Sequence, residues 1–236
     1  MRLPINLLLA AGLLASLPAL GADPVTDAMQ AAYAPYRAAL FRTNSKSQPE
    51  SEQAISQTQL AWKSIAERFG AKAPPPYDRD PQFDDSLARV AAVYERSAQQ
   101  IRDKQLPQAH ETLEQARDLV AELRRRNDIV VYSDHMNAYH AEMEHVLEPA
   151  SAALAATQDW MLLMGRVGVL DYLARRLRSE APAALLRDAD FTPLLAAVEA
   201  SVASLRSALL SQDAAAARAA IGKLKGPYSR MFLKYG

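Results

Sequence analysis

Apolar residues recur at three- and four-residue steps along most of this chain, and that spacing is the period of one face of an α-helix. Met29, Tyr33, Tyr36 and Leu40 predict a first helix over Thr26 to Thr43. After a polar break at Asn44 to Pro49, a second runs over Glu50 to Phe69, with Ile55, Leu60, Trp62, Ile65 and Phe69 as its buried set and Gly70 as its stop. Pro74, Pro75, Pro76 and Pro81 enforce a loop, because proline cannot continue a helix. Leu87, Val90, Tyr94, Ser97 and Ile101 predict a third helix over Phe83 to Lys104. Pro107 opens a fourth, which runs to about Arg126. The β-prone run Ile129 to Tyr132 has no partner strand in view and reads as a linker or a helical continuation. A central helix capped by Ser133 or Asp134 ends at Pro149. Ala150 to Ser179 is apolar around Trp160 to Leu173 and is expected to be well buried; Phe191 to Ser211 and Asp213 to Tyr235 complete the chain. With only 8 glycines and few β-branched runs, the fold class expected is all-α.

The pattern repeats at an offset of 108 residues. Phe83 falls on Phe191, Leu87 on Leu195, Val90 on Val198, Ile101 on Leu209, Ala109 on Ala217, Leu113 on Ile221 and Ala116 on Leu224, and the turns near Gln105 and Asp213 coincide. Two tandem up-down four-helix-bundle units are therefore expected, over residues 22–128 and 129–236.

Residues 1–21 have the form of a secretory signal peptide: Arg2, an apolar run from Leu7 to Leu20, and Ala19 and Gly21 at the small-residue positions before a cut ahead of Ala22. The expected location is periplasmic. No later stretch reads as apolar enough to span a bilayer. The chain has 0 cysteines, so disulfides, thiolate metal sites and covalent c-type haem are excluded. With 27 basic and 27 acidic residues its formal net charge is +0, which offers no electrostatic reason to bind nucleic acid.

Ser204 to Gly236, a small-residue hairpin carrying Lys-Leu-Lys at 223–225 and Leu-Lys-Tyr at 233–235, resembles the final hairpin of the periplasmic cytochrome b562 and cytochrome c′ type of four-helix bundle. The resemblance implies the bundle fold and the compartment. It does not carry the haem. Where b-type members place a haem-ligating histidine near the chain end, this sequence has Phe232, and the matching region around Leu123 and Arg124 has no histidine.

Chemistry concentrates in Asp134 to Glu148, which holds three of the 4 histidines and two of the 7 methionines. Met136, His140 and Met143 are spaced i, i+4, i+7, so one side of one helix presents thioether, imidazole, thioether. His135 on the flank is a possible fourth ligand, and Met161 and Met164 could face the set from the next helix. Soft sulfur with imidazole suits a copper ion. Glu142 and His145 form an i, i+3 pair of the di-iron kind, but matching glutamates on other helices are not evident, so copper ranks before iron. The leading expectation is a non-enzymatic periplasmic protein of transition-metal homeostasis. The alternative is a metal-free helical interaction module with a periplasmic or membrane partner. In it, Met136, Tyr139, Met143 and Leu147 are core, His140 pairs with Glu144, and an apolar patch is exposed. A b-type haem carrier using Met29 and His110 ranks third, since His110 beside Glu111 reads as exposed. Trp62 and Trp160 read as core, and Arg124 to Arg126 as a charged helix end that suits the dipole. No catalytic motif is present: no His-Glu-x-x-His, no glycine-rich phosphate loop and no nucleophile signature.

Overall fold

The computed structural model describes residues 23–147 and 157–236. The expected signal peptide, its cleavage point and Pro149 lie outside the described residues. Helices α1 (Pro24–Asn44), α2 (Gln48–Phe69), α3 (Phe83–Arg102) and α4 (Leu106–Arg126) precede α5 (Tyr132–Leu147) and α6 (Thr157–Ser179). A short α7 (Ala183–Leu186), then α8 (Phe191–Leu210), α9 (Ala214–Ile221) and α10 (Lys225–Tyr235) follow. The all-α class holds, with no strand among the described residues; Ile129 to Val131 form a link between α4 and α5.

Buried side chains fall into two clusters. The first runs from Val25 to Leu123 and is enclosed by α1 to α4, with α1 packed on α2 and α4, and α3 on the same two. The second runs from Met136 to Tyr235; α6 lies between α5 and α8, and α8 supports α9 and α10. The two meet where α1 touches α10, and Phe232 packs against both clusters.

The 108-residue offset is visible in local structure. α3 and α8 are both 20 residues long and start at the paired Phe83 and Phe191. Ahead of α3, the Asp80 carboxylate accepts from the Gln82 amide at 2.9 Å, and ahead of α8 Asp188 accepts from the Asp190 amide at 2.9 Å. Such a turn satisfies an amide that the following helix leaves unpaired. Behind them, Lys104 (φ 59°) and Gln212 (φ 53°) both take the left-handed conformation that ends the helix.

Five expectations need correction. Leu60, expected in the buried set of α2, is 66% exposed. Asp213 to Tyr235 is not one helix: Pro227 has no amide hydrogen and its ring obstructs the Lys223 carbonyl, so α9 ends at Ile221 and α10 starts at Lys225. Neither Ser133 nor Asp134 is the cap of α5: both sit inside its first turn, where the Asp134 carboxylate accepts from the Val131 amide at 3.0 Å. α8 has a mean hydropathy of 1.4, enough by length and composition to cross a membrane, contrary to expectation. Here its apolar face, from Phe191 through Val198 to Leu209, forms the second core. Finally, α6 is buried on one side only: Leu163, Val167 and Leu170 lie in the second core, while Met161, Leu162, Val169 and Tyr172 are exposed.

Candidate functional site

α5 carries the residues singled out in the sequence. Met136, Tyr139, Met143 and Val146 point into the second core and are fully buried. His140 faces the joint between the two clusters, and His135 is half-buried on the flank, within the field of Arg176 and Glu180. Burial holds the His135 imidazole below its ordinary pKa. Met161, expected to face the α5 methionines, is exposed, while Met164 packs on the second core. His145 pairs with Glu142 at 3.5 Å on the surface. Among the described residues, no group of three or more histidine or acidic side chains is placed to hold a metal ion.

His140 is engaged at both ring nitrogens. Arg117 Nη1 lies 3.0 Å from Nδ1, and Glu144 lies 3.4 Å from Nε2. A guanidinium only donates, so Nδ1 accepts and the ring proton sits on Nε2, facing Glu144. The His140 ring also stacks on Tyr228, with centroids 5.2 Å apart. The hydrogen bond from His140 is the largest influence on Glu144 and, with Lys225 at 3.3 Å, holds that carboxyl down to about 2. His110 closes the same joint from α4. Its Nδ1 lies 3.1 Å from the Leu40 carbonyl, and Glu114 lies 3.8 Å from its Nε2. It is half-buried rather than exposed, and burial lowers its pKa. The cavity between these side chains is about 60 Å³, room for little more than solvent.

Arg117 and Lys225 carried no signal in the sequence, because each acquires its role only through a helix from elsewhere in the chain. The same is true of Arg124. It is 2% exposed and forks onto Asp134, joining α4 to α5. Arg126 binds Asp80 at 2.9 Å. The arginine run is thus a set of clamps, beyond a charged helix end.

The open surface is on α6. Met161 is 75% exposed, Leu162 59%, Val169 48% and Tyr172 54%. With Gly165 and Gly168 they lie within about 120° of arc on one side of the helix. A Cβ added at either glycine would meet no atom within 4 Å outside its own helical turn. Arg175 and Arg176 flank the C-terminal end of this face, tied to Asp171 at 2.9 Å and Glu180 at 3.3 Å. The sequence shows these residues to be apolar; only the packing of α5 and α8 on the other sides of α6 shows that none of the described residues covers them.

Comparison of the chain with protein-family models, with curated proteins and with solved structures finds no match.

Proposed function

We propose that this chain is an exported, non-enzymatic helical interaction protein, built as two tandem four-helix units on the cytochrome b562-like plan, that docks an amphipathic helix of a partner protein on α6. The observation that carries this reading is the uncovered face from Met161 to Tyr172. Large contiguous apolar surface on a folded protein marks a binding region. Glycine in a helix interior costs about 1 kcal/mol relative to alanine, and the rest of the described chain returns nothing for Gly165 or Gly168. Two small positions between large apolar neighbours form a shallow groove that a helix fills closely. The leader-like residues 1–21 support export, and the paired turns and equal lengths of α3 and α8 support the tandem plan.

A copper ion at His135, Met136, His140 and Met143 is the competing reading. It requires Arg117 or Glu144 to leave His140, and both thioethers to give up core packing. Geometry therefore favours the metal-free module.

A photo-crosslinking residue at Val169, in protein exported to a bacterial periplasm, tests the proposal. The expected result is a defined cross-linked partner that disappears when Gly165→Leu and Gly168→Leu fill the groove. Capture that survives the filled groove overturns the assignment of the site. Self-association at α6, seen as concentration-dependent mass, overturns the partner in favour of a second copy.

A further inference from the structure

A second cleft, of about 330 Å³, opens where α1 meets the α4–α5 link, α7 and the end of α10. Volumes of this order accommodate small organic ligands. Its walls include Met29 and Leu185, and its charged side chains are Arg37, Arg124 and Lys234, with no acidic side chain among the lining residues. Two of those cations are already matched. Arg124 is paired with Asp134, and Lys234 with Asp190 at 2.6 Å and Asp188 at 3.3 Å.

Arg37 is different. Among the described residues no acidic side chain reaches it; its Nη groups donate to the backbone oxygens of Gly236 and Lys234, and its Nε is buried with no partner. Burial lowers its pKa, the response of a cation short of a counter-charge. Two neighbours share the deficit. Tyr33 is 7% exposed and Tyr235 9%, both line the cleft, and both hydroxyls are buried without a close hydrogen bond, that of Tyr235 lying toward Asp188 and Lys234. Buried polar groups are almost always paired, and an unpaired one costs about 1–3 kcal/mol. Such groups gathered at one cleft point to a ligand that completes them.

We propose that this cleft binds a small organic monocarboxylate, its carboxylate meeting Arg37 Nε and the Tyr33 and Tyr235 hydroxyls and its apolar part lying on Met29 and Leu185. One unmatched cation selects a monoanion over a phosphate dianion, which would need a second free charge. The apolar wall selects a hydrocarbon flank.

One competing acceptor lies within the chain: Gly236 sets a backbone oxygen on Arg37. The test therefore uses the full chain and the same chain extended by Gly-Ser after Gly236. Each is titrated calorimetrically with sodium benzoate up to about 10 mM, a limit that still detects weak binding, with benzyl alcohol as the uncharged control. Benzoate is expected to bind both chains and benzyl alcohol neither. The Tyr33→Phe, Tyr235→Phe double variant removes hydroxyls that make no close hydrogen bond, so its melting temperature should hold while benzoate affinity falls at least about tenfold. No heat with benzoate on either chain, or equal affinity in the double variant, overturns the proposal. Binding by the extended chain alone also overturns it and assigns the cleft to the chain's own tail. None of these outcomes bears on α6.

Discussion

His140 can act as a ligand only by giving up Arg117 or Glu144, and its variants should show this. His140→Gln keeps an amide oxygen for Arg117 and an amide N–H for Glu144, so its unfolding free energy in urea should stay within about 1 kcal/mol of the parent. His140→Ala leaves Arg117 short of an acceptor and should cost about 1–3 kcal/mol. Elemental analysis after incubation with Cu(I) or Cu(II) and desalting should find no stoichiometric copper; about one equivalent, lost in a His140→Ala, Met143→Ala double variant, would reverse the functional assignment. Arg124 makes a sharper case. Arg124→Met strands the half-buried Asp134 carboxylate and should cost about 2–3 kcal/mol, whereas adding Asp134→Leu should recover most of it, because removing both partners leaves no unpaired charge. The i, i+4 relation of His140 to Glu144 was legible from spacing. Arg117 was not, since 23 residues separate it from His140 and no periodicity links them.

Among the helices, α6 separates folding from docking. Gly165→Ala and Gly168→Ala remove backbone freedom at helical positions where a methyl meets open space, so together they should add about 1–2 kcal/mol and raise Tm by about 3–6 °C. The leucine pair at the same positions should fold and yet lose the partner. A stability loss on Gly→Ala, read by calorimetry, would mean that something already covers this face. The sequence shows α6 to be apolar on several sides, but hydropathy does not say how many neighbours a helix has. α3 and α8 were more legible, because a 20-residue element between an aspartate turn and a left-handed residue is a local construction.

For the molecule as a whole, the joint between the two cores is polar around His140 and His110 and aromatic around Phe232. Phe232 meets Tyr33 at 6.5 Å and Tyr228 at 5.7 Å between ring centroids. Phe232→Ala should cost about 2–3 kcal/mol and speed amide exchange in α10 and the facing part of α1 more than in α2 or α3. The pH profile follows from the shifted groups. His110 and His135 are held below the ordinary imidazole value, so the folded state binds fewer protons than the unfolded state; their contribution is present above about pH 6.5 and lost as pH falls. Glu144, held at about 2 against an ordinary 4.5, loses its contribution as pH falls below 4.5. Burial raises Tyr36, Tyr94 and Tyr228, so their contribution is lost as pH rises beyond 10. The urea midpoint should be highest between about pH 7 and 9, falling on the acid side first through the histidines.

What the sequence determines by itself is local. The 3.6-residue period, the prolines and the 108-residue repeat locate the helices and the core set, because burial of one helical stripe follows from spacing alone. What opposes each stripe is decided only in three dimensions. The tertiary structure buries Met136 and Met143, commits His140 to Arg117 and Glu144, and matches Arg124 and Lys234 while leaving Arg37 without an acidic side chain. It also leaves Met161, Leu162, Val169 and Tyr172 uncovered among the described residues. The reason is that periodicity describes one helix at a time, whereas a charge or an apolar face is satisfied by another helix whose distance along the chain carries no local signal.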